Sequence, residues 1–240
     1  DAGDAAMTGT VLDHWQPVTY DYGLIRCDAE RVVEARRRQY LDAGMAPKVA
    51  SLGGSLQDCL STLVPLSPAP TKEMYLTTTF GWTAYLANGC RGSDPSLPMK
   101  QLSTALGVMA LRACVTPRAA RYAGAILAVY DTVEAGGDEY GYRRSIAALN
   151  DGGRWVFEQS GTPFPFEDTA RYAARRKRDR FTAEMLAGYL VGLGAQPLSD
   201  GAFGEGSAVR GVVLERPAQD HLPRYTLEEA KALNASGPSG

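Results

Sequence analysis

Histidine is nearly missing from this 240-residue chain: His14 and His221 are the only two, and they stand near opposite ends. No HxxxH pair exists, and nucleophile–base designs that rely on imidazole lose their usual base. The four cysteines, Cys27, Cys59, Cys90 and Cys114, are far apart and show no CxxC spacing. A thiolate metal site or redox pair therefore has no local signature, and the cysteines read as free thiols of a reducing cytoplasm, although two disulfides stay arithmetically open. GxSxG is absent, so no nucleophile elbow is indicated. Gly204-Glu205-Gly206 lacks both a preceding strand and the rest of a phosphate-binding fingerprint. No apolar run approaches the roughly 20 residues that a bilayer span needs, so no membrane partner is expected. Residues 1–10 have neither the basic nor the apolar region of a signal peptide and read as a tag remnant or frayed terminus.

An excess of either charge is also lacking. Lys plus Arg is 25 and Asp plus Glu is 27, a formal net charge of −2. No global field draws in nucleic acid or anionic lipid, so local patches carry any electrostatic signal. Hydrophobic residues make up 45% of the chain, enough for a buried core without staples.

The pattern along the chain predicts a single α+β domain over 1–240, with 1–10 and 235–240 as tails; a weaker N-terminal subdomain over 11–64 is the alternative. A helix is expected over 28–43, capped by Asp28 and closed by Gly44, with Ala29, Val33 and Tyr40 inward and Arg36, Arg37 and Arg38 as a solvated face. Strands are expected over 18–26, 75–86 (interrupted at Gly81), 108–116, 122–131 and 211–216. Asp151-Gly152-Gly153 predicts a three-residue hairpin loop joining 145–150 to 154–160. Residues 45–71 read as irregular apart from a short helix near 56–63. Further helices are expected over 96–106, over 167–177, after the Thr182 cap, and from a capping box at Thr226. The expected architecture is an antiparallel sheet of about four to six strands with helices on one face and a helical C-terminal third.

Three constellations stand out. Phe80 to Asp94 packs Trp82, Tyr85, Asn88, Arg91 and Asp94 among glycines; Trp, Tyr and Arg dominate many interfaces, and Arg91 offers a fork for a carboxylate or phosphate. The same residues equally suit a core tryptophan, an Asn-Gly turn and a helix anchor. The second, 171–180, is strongly basic; on a helix Arg171, Arg175 and Arg178 would form one stripe, suited to an acidic protein partner or to phosphates, or simply solvated. The third sets Trp155 with Phe164 and Phe166 and reads as core. Carboxylate pairs such as Glu167/Asp168 or Glu134/Asp138 could serve as acid and base, though spacing alone brings no pair together.

Two stretches resemble uncharacterised bacterial cytoplasmic accessory proteins of toxin-immunity type. One runs from Gly81-Trp82-Thr83-Ala84-Tyr85 through Asn88-Gly89 to Gly92-Ser93-Asp94. The other runs from Asn150-Asp151-Gly152-Gly153-Arg154-Trp155 through Pro165-Phe166-Glu167 to Arg178-Asp179-Arg180-Phe181-Thr182. The chain departs from that group at Cys90, where a bulkier residue is expected, and the resemblance carries over no catalytic residue. It implies a non-catalytic, cytoplasmic protein-binding protein that neutralises a toxin by occlusion, without a cofactor or metal. Trp82, Tyr85, Asn88, Arg91 and Asp94 would anchor the contact, and Arg171, Arg175 and Arg178 would steer an acidic toxin surface. The alternatives are an enzyme or small-ligand module with a pocket near 80–94, and a nucleic-acid-associated protein using 171–180; the charge balance makes nucleic acid the less expected partner.

Overall fold

The computed structural model describes residues 10–118, 120, 122–131, 141–204, 209–217 and 221–235. Nine strands form one antiparallel sheet: β1 Asp21–Ile25, β2 Lys48–Leu52, β3 Lys72–Thr77, β4 Thr83–Ala87, β5 Ala110–Thr116, β6 Gly124–Tyr130, β7 Arg144–Asp151, β8 Arg154–Gly161 and β9 Gly211–Glu215. Their order is β2-β9-β3-β4-β1-β5-β6-β7-β8. Six α-helices accompany it among the described residues: α1 Val11–His14, α2 Ala29–Asp42, α3 Leu56–Ser61, α4 Ser96–Leu106, α5 Ala183–Gly192 and α6 Leu227–Ala235. None of them is long and apolar enough to cross a membrane.

Helix starts follow local chemistry. Asp28 accepts from Arg31 N at 3.0 Å and opens α2, Thr182 accepts from Met185 N at 3.3 Å and opens α5, and the Thr226/Glu229 box opens α6. Gly107, at φ 63°, closes α4. At the β7–β8 turn Asp151 pairs with Arg154, so the loop has two residues rather than the expected three; Gly152 and Gly153 hold φ 58° and 92°, as a type I′ turn requires.

Two expectations fail on the sheet. It has nine strands rather than four to six, and helices cover both of its faces rather than one. Every residue of β1 and β4 is buried, so neither strand shows the alternation of a one-sided sheet. One face, carrying Leu24, Leu76, Leu86, Leu111, Leu127 and Ile146, packs against α1, α3 and α5. The other, carrying Ile25, Tyr75, Tyr85, Ala110 and Tyr130, packs against α2 and α4. Leu12, Trp15, Leu56 and Leu60 belong to the first of these cores, so residues 11–64 build no separate one.

The C-terminal third is not mainly helical. Residues 167–177 hold only a 3₁₀ turn over Thr169–Ala173, and a second covers Lys177–Asp179. A regular helix would stack Arg171 on Arg175, a like-charge i,i+4 pair that opposes it. Tertiary contacts also claim the segment's first carboxylate: Glu167 Oε1 accepts from Phe164 N at 2.9 Å and from Arg144 Nε at 2.9 Å, and Oε2 accepts from Tyr172 OH at 2.7 Å.

Candidate functional site

Most residues of the aromatic–glycine stretch face inward. Trp82 is buried and donates its indole N–H to Gly194 O at 2.9 Å, tying the end of α5 to the sheet. Tyr85 is buried edge-on against Tyr75, with ring centroids 5.4 Å apart. Asn88 is also buried; its Oδ1 accepts from Thr71 N at 2.8 Å and Lys72 N at 2.9 Å, and its Nδ2 donates to Pro65 O at 2.9 Å. Gly89 passes so close to Gly92 that a Cβ would lie 1.9 Å from the Gly92 carbonyl oxygen. The three buried residues have no surface to offer a partner, which corrects their expected anchoring role. Of the five expected anchors, Arg91 and Asp94 alone are exposed. Asp94, at φ 38°, lies 3.9 Å from Arg112 Nη1.

The basic stretch keeps its charge outside but loses its geometry. Arg171, Arg175 and Arg178 are exposed, yet no helix aligns them. Arg178 lies 3.8 Å from the neighbouring Asp179 carboxylate, and Arg180 turns back to donate to Ala174 O at 2.8 Å. Of the aromatic trio, Phe164 and Phe166 stack at 5.2 Å, while Trp155 stands apart on β8. The Glu134/Asp138 pair lies outside the described residues.

Three ion pairs inside the molecule were not legible as such. Arg36, expected in solvent, is buried and grips Glu73 through Nε at 2.9 Å and Nη2 at 2.7 Å. Tyr40 and Tyr75 donate their hydroxyls to the same carboxylate at 2.5 and 2.9 Å. Burial alone would raise the Glu73 carboxyl; the hydrogen bonds and charge of Arg36, with both tyrosines, hold it below the ordinary value. The signal was spacing: Arg36 falls three residues after Val33 and four before Tyr40, on the inward stripe of α2.

Arg112 makes the second pair, donating to Asp21 at 3.0 and 2.5 Å and to Ser96 Oγ at 2.7 Å. Burial raises the Asp21 carboxyl, and the Arg112 charge only partly offsets it. Beside it, burial pushes the Cys114 thiol up to about 12, so it stays protonated and unreactive. The third pair, Arg144 with Glu167, is buried and fastens residues 164–172 to the end of the sheet. Each carboxylate is fully engaged by protein donors. Among the described residues no three His, Cys, Asp or Glu converge in a way that could hold a metal.

Hollows on the surface lie elsewhere. One of about 540 Å³ sits between α2 and α4 among solvated charges such as Glu30, Glu34, Arg38 and Asp42. One of about 500 Å³ lies between Pro17, Tyr20, Pro117 and α6. Asn88 borders a polar cavity of only about 70 Å³, room for little more than water. The expected pocket near 80–94 therefore has no ligand-sized counterpart in these hollows.

A further hollow with a largely apolar lining, about 370 Å³, lies where the helices run out. Helices α2 and α4 cover the middle of their face, and among the described residues no helix covers its β6–β8 end. Along β7 the burial alternates: Arg144, Ile146 and Ala148 are buried on one face, while Ser145, Ala147 and Leu149 are half-buried on the other. Ala147 and Leu149, with Val156 from β8, floor the hollow. Half-exposed Tyr122 flanks it, and Asn150, Asp151 and Glu158 form a polar, acidic rim. Chemically, this arrangement can take up apolar side chains with a basic fringe.

No family model matches the chain, and neither a curated protein nor a solved structure matches it.

Proposed function

We propose that this chain is a non-catalytic protein-binding protein of the immunity kind, one that neutralises a partner by covering it. The observation that carries the reading is the concave apolar hollow at the β6–β8 end of the sheet, uncovered among the described residues and floored by Ala147, Leu149 and Val156. Exposed apolar concavities with polar rims suit protein contacts. The internal ion pairs add support of another kind: the buried carboxylates Asp21, Glu73 and Glu167 are each paired with an arginine. The partner's chemistry changes with the site. The acidic toxin surface was inferred from a stripe of Arg171, Arg175 and Arg178 that does not form, whereas Asp151 at the rim suits a partner with apolar side chains flanked by Lys or Arg.

The test is affinity capture from the native host with the wild-type chain, Leu149→Arg and Arg175→Glu, each checked for folding by circular dichroism. Partners should be lost with Leu149→Arg and kept with Arg175→Glu. A captured protein whose expression arrests growth, and whose arrest is relieved by the wild-type chain but not by Leu149→Arg, would support the immunity role. Equal capture by wild type and Leu149→Arg would overturn the site.

A further inference from the structure

Strand β8 ends the sheet, and among the described residues no strand pairs with its outer edge. The β7–β8 turn sets the hydrogen-bonding phase: Asp151 and Arg154 flank a two-residue loop and face each other as a bonded pair. Val156, Glu158 and Ser160 follow in the same phase and turn their backbone groups toward β7. Trp155, Phe157 and Gln159 therefore turn theirs outward, and no backbone partner meets them among the described residues. An open edge of this length is a template for another strand.

The side chains of β8 match one particular strand: β8 itself. In an antiparallel pair centred on Val156, Arg154 of each copy lies opposite Glu158 of the other, and Trp155 lies opposite Phe157. This register also satisfies the phase, because Trp155 and Phe157 both direct their N–H and C=O outward. Arg154 and Glu158 are exposed, and neither has an ion-pair or hydrogen-bond partner among the described residues. The opposite edge, β2, reads Lys-Val-Ala-Ser-Leu, holds no acid and has no such self-match. We propose that two copies of this chain join through their β8 edges, about a twofold axis at Val156, into one continuous eighteen-stranded sheet. The two apolar hollows would then lie on the same face of the joined sheet, on either side of the axis, with Asp151 still at each rim. The pairing goes beyond the partner reading and does not rest on it.

Sedimentation velocity on the purified chain alone tests it, over about 1 to 300 µM, because an edge contact buries less than a standard interface. Wild type should dimerise across that range. Arg154→Glu and Glu158→Arg should each weaken the dimer by about tenfold or more, since like charges then face each other twice. The double variant Arg154→Glu/Glu158→Arg should restore it. Both residues are solvent-exposed, and matching urea midpoints would confirm that the variants fold. A wild-type monomer at every concentration, a dimer indifferent to Glu158→Arg, or a double variant that fails to recover would overturn the proposal. Equal capture of host partners by wild type and Leu149→Arg, with the dimer intact, would sink only the partner reading.

Discussion

Glu73 takes four hydrogen bonds from three residues, and its worth to the fold follows from what its removal leaves behind. Glu73→Ala would strand the Arg36 guanidinium under packed side chains, at a cost of about 3–5 kcal/mol, readable by urea unfolding. Replacing both partners with Met and Leu should recover most of that loss, because an apolar pair of similar volume leaves no charge uncompensated. The pH dependence has a definite sign. The Glu73 carboxyl is lowered in the folded chain, as is that of Glu167, so their stabilisation is complete above the unfolded value of about 4.3 and fades as pH falls through the folded values. Stability should drop steeply below about pH 4, and Glu73→Ala should flatten that slope. At this scale the spacing of Arg36 was legible but its mate was not, since nothing local links residue 36 to residue 73.

The segment between β8 and α5 is ordered by Glu167 rather than by helix propensity. Glu167→Ala should free it, and trypsin should then cut the run from Arg175 to Arg178 much faster, with α5 still intact by circular dichroism. An unchanged cleavage rate would show that the turns hold themselves. Elements with their own punctuation were readable: α2 from Asp28, α4 from Gly107, α5 from Thr182 and the hairpin from its two glycines. Strand β2 was not, because all five of its residues face solvent wholly or in part and show no period. The residues that floor the candidate hollow were visible as strand, yet their openness depends on where α2 and α4 stop. Trp82, Tyr85 and Asn88 misled for a related reason: the same residue types that anchor interfaces also anchor cores, and only packing tells them apart.

At the scale of the molecule, the strand order couples distant parts of the chain. Strand β9 lies between β2 and β3, bonded to both, although about 135 residues separate it from β3. While the chain emerges from a ribosome, β2 has no neighbour and β3 shows a bare edge until residues 211–215 arrive. A nascent chain stalled or truncated near residue 204 would present that edge to its neighbours, with Met74 and Leu76 beside it, and should aggregate where the longer chain stays dispersed. Supplying residues 209–217 as a separate peptide should cap the gap and keep the truncated protein in the supernatant. Strand β9, the latest in chain order among the described residues, thus fills the gap between β2 and β3, which makes premature termination before it a failure of solubility rather than a mere loss of length.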